Sequence, residues 1–192
     1  MPERTADPMR FLAISGSLRA ASLNSALLRA TARLAPPGIA VHLFQELGEL
    51  PLFNPDIEAT DPAPVAKLRT RVTAADALII ASPEYAHGIP GALKNALDWL
   101  VGGEAFVGKP VALFNASPLS IHAPASLREV VGAMSARVVD SASVVLPVRG
   151  ARLDENGIHA EPRMAAAIRD ALLALAHATA AFSEQDAADK TG

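Results

Sequence analysis

Two rhythms of apolar and polar positions alternate along the chain. Short, largely continuous apolar runs occur at residues 10–15 (RFLAIS), 39–44 (IAVHLF), 77–81 (ALIIA) and 110–115 (PVALFN). Such runs, without strict alternation, mark strands buried on both faces. Between them lie longer stretches with helical spacing. Residues 22–35 place Leu23, Leu27, Ala30 and Leu34 on one face, and Pro36-Pro37-Gly38 ends that helix. Residues 64–75 and 91–101 read as the second and third helices, the third with Pro90 at its start, where a missing N–H costs nothing. A fourth helix is read over 123–136 and a long, alanine-rich one over 161–182. Residues 137–148 hold a fifth strand bent near Asp140-Ser141, residues 50–62 (LPLFNPDIEATDP) a long loop, and residues 1–8 and 184–192 flexible tails.

Strands alternating with helices predict an α/β fold: a parallel sheet covered on both faces, reached by right-handed crossovers. Five strands fit a flavodoxin-like, three-layer doubly wound sandwich with strand order 2-1-3-4-5 and one domain over residues 1–192. In such a sheet a ligand sits beyond the carboxyl ends of the strands, at the switch between strands 1 and 3.

Composition narrows the chemistry. Hydrophobic residues make up 51% and charged residues 19%, enough to build a sizeable core. The net charge of −3 gives no general field for nucleic acid or an anionic membrane, so neither is expected as a partner. With no cysteine, disulfides, thiol catalysis and zinc–thiolate sites are excluded. No apolar run reads as a bilayer span, and the opening MPERTADP is unlike a signal peptide, so a cytoplasmic location is expected. Residues 8–45 contain no Asp or Glu but carry Arg10, Arg19, Arg29 and Arg33. Either a helix happens to lack acids, or a surface is kept clear for an anion.

Two loops carry the candidate chemistry. The first, GSLRAASLN at residues 16–24, lies between strand 1 and helix 1. A phosphate needs convergent donors, and a helix N-terminus supplies free N–H groups and partial positive charge. Ser17, Ser22 and Asn24 add side-chain donors, Arg19 adds a charged fork, and Gly16 lets the backbone turn away. Taken singly, Ser22 could be an ordinary helix cap and Arg19 a solvated residue. The second loop, SPEYAHGIPGALKNALDW at residues 82–99, packs proline, glycine and the sole tyrosine into a turn that can approach a flat ring. Tyr85 packs near such a ring or at a core or interface position. His87 has no metal-like partner in sequence, and no metal site is expected. Lys94, Asn95 and Asp98 read as a solvated face or subunit contact. The loop after strand 4, ASPLSIH at residues 116–122 and including Ser117, should flank the other side of the ring. No G-x-G-x-x-G is present. A near-match to a P-loop at residues 103–109 is followed by Pro110 and precedes a strand, so it reads as a connection.

GSLRAASLN, LPLFNPDIE and SPEYAHGIPGALKNALDW together resemble the NADPH-dependent FMN reductases, a group that includes bacterial quinone and chromate reductases and some azoreductases. The resemblance implies a flavodoxin-like fold, non-covalent FMN, and a homodimer or homotetramer. Carried over by position, it implies that Ser17, Arg19, Ser22, Leu23 and Asn24 hold the FMN phosphate. Pro83, Glu84, Tyr85 and the backbone near Gly88 would hold the isoalloxazine, and the helix with Asp98 and Trp99 would lie near a subunit interface. The chain departs from the pattern in two places. Ala86 stands where relatives often have Asn, and SPLSIHAPAS replaces a glycine-rich loop, which bears on acceptor preference and nicotinamide binding.

The implied activity is an NAD(P)H-dependent reductase. Hydride passes from NADPH or NADH to bound FMN, then electrons pass to a small-molecule acceptor: a quinone, flavin, azo compound or metal oxyanion. The cofactor carries the chemistry, so no catalytic side chain is assigned. Two rival readings are a flavodoxin-type electron carrier without NAD(P)H turnover, and a binding protein that has lost the cofactor. Reduction of the bound flavin by NAD(P)H alone separates the first rival from the reductase.

Overall fold

A computed structural model describes residues 7–189. Strands β1 (Met9–Ser15), β2 (Ile39–Phe44), β3 (Ala77–Ala81), β4 (Pro110–Asn115) and β5 (Arg137–Val138) form a parallel sheet in the order β2-β1-β3-β4-β5. A further strand, β6 (Val144–Val145), pairs with β4 beyond β5. Helices α1 (Leu23–Leu34), α3 (Ala63–Ala74), α4 (Gly91–Val101), α5 (His122–Ala133) and α8 (Pro162–Asp189) cover its two faces. The short helices α2 (Pro55–Glu58), α6 (Val148–Ala151) and α7 (Glu155–Ala160) fill connections. The expected α/β architecture and strand order are present.

Successive strand residues point to opposite faces, so each apolar run feeds two cores. Phe11, Ala13, Ile79, Ala112 and Phe114 pack under α1 and α8 with Leu27, Leu172 and Leu175. Leu12, Ile14, Leu78, Ile80 and Val111 pack on the other side with Leu68, Val72, Leu97 and Trp99. By length and hydropathy α8 could cross a bilayer, unlike the sequence expectation of no such run. It is nevertheless two-faced: Met164, Ile168, Leu172 and Leu175 are buried, whereas Arg163, Arg169, Asp170 and His177 are exposed, the pattern of a core helix.

The C-terminal third departs from expectation. The fifth strand is broken into β5 and β6 by a 3-10 turn at Asp140–Ala142. Ser143 makes the break possible: its hydroxyl accepts from the Leu113 amide at 3.0 Å and donates to the Val139 carbonyl at 3.0 Å, so β4 keeps a satisfied donor where the ladder is interrupted. The fourth helix ends at Ala133, not at residue 136, because Ser135 takes a left-handed φ of 63° and the Ala136 amide closes back on Val131 O at 3.0 Å. The last helix runs on to Asp189 rather than giving way to a flexible tail at residue 184, and Arg137 holds it there by stacking on Phe182 and pairing with Asp186 at 2.6 Å. The flexibility expected of residues 1–6 and 190–192 lies outside the described residues.

Candidate functional site

The carboxyl ends of β1, β3 and β4 meet at one edge of the sheet, and their loops enclose a cleft of about 300 Å3. Ser17, Arg19, Ala21, Ser22, Leu23 and Asn24 form one wall. Pro83, Glu84 and Tyr85 form a second, and Asn115, Ala116, Ser117, Ser120 and Arg149 the third. Nine of the ten residues singled out in the sequence therefore line one space. A larger cavity, about 870 Å3, opens at the other end of the sheet around Arg10, Asp76 and Lys109. It contains none of those ten residues and lies at the amino ends of the strands, where this architecture does not place ligands.

The first loop leaves β1 at Gly16, whose amide donates to Ala81 O at 2.8 Å. A Cβ there would lie 3.0 Å from Leu93 Cδ2 and 3.1 Å from Ser82 Oγ, so glycine lets the end of β1 pass close to α4 and the loop after β3. The loop then organises itself through hydroxyls. Ser15 and Ser25 share a hydrogen bond of 2.7 Å, Ser17 N donates to Ser15 Oγ, and Arg19 N donates to Ser17 Oγ. Ser22 caps α1 by accepting from Ser25 N at 3.2 Å. Capping uses the oxygen as acceptor and leaves its O–H free to donate. Asn24 is buried and accepts from Ala116 N at 3.3 Å, tying α1 to the loop after β4, while its NH2 group donates no hydrogen bond among the described residues. The first turn of α1 carries no acid.

Of the four arginines in the acid-free stretch, only Arg19 reaches the cleft. Arg29 and Arg33 close on Glu155 at 2.7 and 3.3 Å, and Arg33 also reaches Asn156. The Arg29 hydrogen bond, followed by that of Arg33, holds the Glu155 carboxyl below its ordinary range. Arg10 lies at the far end of β1. The stretch is thus not one anion-binding surface, because an acid from α7 pairs with two of its four arginines. Arg149, at the start of α6, was not singled out in the sequence but supplies a second cation to the cleft. No ion pair engages Arg19 or Arg149 among the described residues.

The second loop is a two-residue hairpin. Tyr85 N donates to Gly88 O and Gly88 N to Tyr85 O, both at 3.0 Å, across Ala86 and His87 with φ of 49° and 59°. Positive φ at both central positions defines a type I′ turn, normally built from Asn-Gly. The Gly88 N–H and C=O both take part in this turn, and Gly88 itself does not line the cleft. Ala86 bears a left-handed backbone that asparagine tolerates better. Ala86→Asn should raise unfolding stability by about 0.5–1 kcal/mol. A chemical melt showing no gain would mean that the turn relaxes without penalty.

Glu84 joins the second wall to the third. Its Oε2 accepts from His122 N at 2.8 Å and Ala123 N at 3.0 Å, at the start of α5. The Ala123 bond first, then that of His122, holds the carboxyl below its ordinary range despite an opposing contribution from burial. Its stabilising effect is therefore present above the ordinary carboxylate pKa and lost as pH falls through the depressed value. In thermal melts across acid pH, the wild type should exceed Glu84→Gln at neutral pH and converge with it on acidification. A constant gap would detach the effect from ionisation. His87, solitary in sequence, has a neighbour in space: its ring stacks on that of His122 with centroids 4.3 Å apart. On the third wall Ser117 is buried, and Ser117 Oγ and O accept from Leu119 N and Ser120 N to fold the loop over the end of β4.

The segment over residues 50–58 is clamped by α4. Asn95 accepts from Phe53 N at 2.7 Å and donates to Pro51 O at 2.9 Å, and Trp99 Nε1 donates to the same carbonyl at 2.8 Å. Asn95 is thus a structural bracket rather than part of a solvated face. Trp99 is 0% exposed within the single chain.

The model of the NADPH-dependent FMN reductases matches residues 9–149, spanning β1 to α6 and with them all three walls of the cleft. The chain belongs to that family. It is 43% identical over 114 residues to an NAD(P)H-dependent FMN reductase of Pseudomonas aeruginosa, an alignment covering 58% of this chain and 61% of that protein. It is 32% identical over 155 residues to a 2-hydroxy-1,4-benzoquinone reductase of Burkholderia sp., covering 78% and 84%. Among solved structures it superposes on a flavoenzyme NAD(P)H:(acceptor) oxidoreductase from Paracoccus denitrificans with a TM-score of 0.69 and 26% identity, over 88% of this chain and 98% of that one. The chain thus spans about three fifths of the length of the P. aeruginosa relative and of several quinone reductases.

The cleft fits FMN on its own chemistry. A phosphate requires unneutralised positive charge and free N–H donors, and the α1 N-terminus offers both beside Arg19, with no carboxylate in its first turn. For a planar ring, the Pro83–Tyr85 and Asn115–Ser117 segments line the same cleft beside that phosphate end.

Proposed function

We propose that the chain is an NAD(P)H-dependent, FMN-containing reductase whose acceptor is a quinone. The observation that carries this reading is the convergence of three strand-end loops on one cleft with unpaired arginine at the phosphate end. FMN bound there would take hydride from NADPH or NADH and deliver electrons to the acceptor. The protein's part is placement. Ser17, Arg19, Ser22, Leu23 and Asn24 hold the phosphate end against the α1 N-terminus. Pro83, Glu84, Tyr85 and Ser117 flank the ring. Glu84 acts through position: by bracing the second loop against α5, it fixes the width of the slot. Tyr85, 54% exposed, covers part of the opening, where a flat acceptor could stack.

Quinone is favoured over flavin, azo compound or metal oxyanion because the Burkholderia relative is named for a benzoquinone. The reading extends to a homodimer or homotetramer in the cytoplasm. Exposed Leu52 on the α4-clamped segment and Val101 at the end of α4 offer apolar surface for a second copy. The decisive experiment records the visible spectrum of protein supplied with FMN, without oxygen, before and after NADPH. Bleaching followed by recovery on adding a benzoquinone is expected. Flavin bands that persist with NADPH would favour the electron-carrier reading, and failure to retain FMN would defeat both.

A further inference from the structure

Glu84, His87 and His122 form a cluster with more ligand capacity than the cleft uses. One potential ligand atom from each lies within 4.8 Å of the other two. The two imidazoles stack with an interplanar angle of 24°, and no hydrogen bond falls on either ring among the described residues. Glu84 is held differently. Both amide bonds fall on Oε2, leaving Oε1 without one. A carboxylate with one oxygen anchored and the other open is oriented as metal-ligating carboxylates commonly are. The backbone also fixes where each group stands: His87 sits in the type I′ turn and His122 opens α5.

We propose that Glu84, His87 and His122 bind a divalent transition-metal ion, Zn2+ or its neighbours, at the rim of the cleft. Two imidazoles and a carboxylate suit Zn2+, Co2+, Ni2+ and Cu2+, whereas Mg2+ and Ca2+ prefer all-oxygen sites. Zinc–ligand distances of about 2.0–2.2 Å place ligand atoms roughly 3.3–3.6 Å apart in a tetrahedron. Both histidines are exposed, so their rings have room to turn toward the carboxylate. Three protein ligands leave a fourth position for water or another oxygen donor. A bound ion would also staple the loop after β3 to the first turn of α5, reinforcing the joint that Glu84 already makes.

The test is calorimetric titration of the full-length protein, stripped with chelator, with zinc chloride and separately with magnesium chloride. One Zn2+ per chain, at micromolar affinity or tighter, is expected, with no comparable Mg2+ binding. His87→Ala and His122→Ala should each weaken Zn2+ binding by about tenfold or more, while His177→Ala leaves it unchanged. Zn2+ should also raise the melting temperature of the wild type but not of His122→Ala. His87 and His122 are exposed, so both variants should keep the wild-type melt without metal, which separates lost ligation from lost fold. Absence of a Zn2+ isotherm, equal affinity in the histidine variants, or Mg2+ binding of similar strength would each overturn the proposal. The titration reads metal alone and stands whether or not FMN binds.

Discussion

Trp99→Ala should lower unfolding stability by about 3–5 kcal/mol, among the largest losses that a single core truncation produces. Three contributions add. The indole is fully buried in the core on the α4 side of the sheet, so its removal leaves a large void there. Its ring meets Phe53 edge-on at 5.1 Å, and its Nε1–H donates to Pro51 O at 2.8 Å. The last two contacts join α4 to the segment over residues 50–58, so the loss is tertiary, not local to one helix. For a domain of this size the expected fall in melting temperature is roughly 6–20 °C. Trp99→Phe separates the contributions. It keeps most of the apolar volume, and Pro51 O still accepts from Asn95 Nδ2, so a smaller loss of about 1–2 kcal/mol is expected. Equal losses in the two variants would assign the effect to the hydrogen bond. A melting temperature within two or three degrees of wild type for the alanine variant would show that α4 collapses onto the void.

The elements read most accurately from sequence are those whose signal is local. The bounds of β2, β3, β4 and α4 match the sequence reading. Parallel strands buried on both faces, as β3 and β4 are, must be apolar nearly throughout, whereas the edge strand β2 is only half-buried and still keeps an apolar run; Pro90 marks the start of α4 by its chemistry. The last third is less legible because its structure is held from outside. β5 and β6 are two short strands whose discontinuity rests on one serine reaching a β4 amide. α6 and α7 carry no helical apolar spacing. They are held by buried Val148 and Ile158 and by ion pairs to α1 more than a hundred residues earlier. Nothing near residue 155 announces such pairs, and nothing near Arg29 announces that its charge is already spoken for.

The same distinction separates the site residues. Ser17, Arg19 and Asn24 could be placed together from sequence because they share one strand-to-helix junction, and they line the cleft. Arg149 was not, since it reaches the cleft only through the broken strand and the turn that follows. The partnership of His87 with His122 is intermediate. The residues are distant in sequence, but they follow adjacent parallel strands, β3 and β4, whose carboxyl ends face the same way. Doubly wound topology brings the loops after neighbouring strands together, so a histidine in one should be checked against the other even without a spacing motif.

Arg19→Ala should weaken FMN binding by about 10- to 150-fold, corresponding to roughly 1.5–3 kcal/mol for a charge-assisted hydrogen bond to phosphate. The free protein should lose almost nothing, because Arg19 is exposed and its side chain has no acid to pair with among the described residues. That combination, large in binding and small in stability, distinguishes a ligand residue from a structural one. Arg29 provides the contrast. Its guanidinium is committed to Glu155, so Arg29→Ala should cost some stability and leave FMN affinity near wild type. Arg149 provides the competitor, since it lines the same cleft and is equally unpaired. Fluorescence titrations with FMN at two salt concentrations resolve the three. Removing the cation that meets the phosphate should lower affinity and flatten its dependence on salt. If the loss and the flattening appear in Arg149→Ala and not in Arg19→Ala, the phosphate lies on the third wall and the assignment of the first loop fails. If they appear in both, the two arginines clamp the phosphate from opposite sides, and their double variant should fall short of the summed losses because the groups share one ligand.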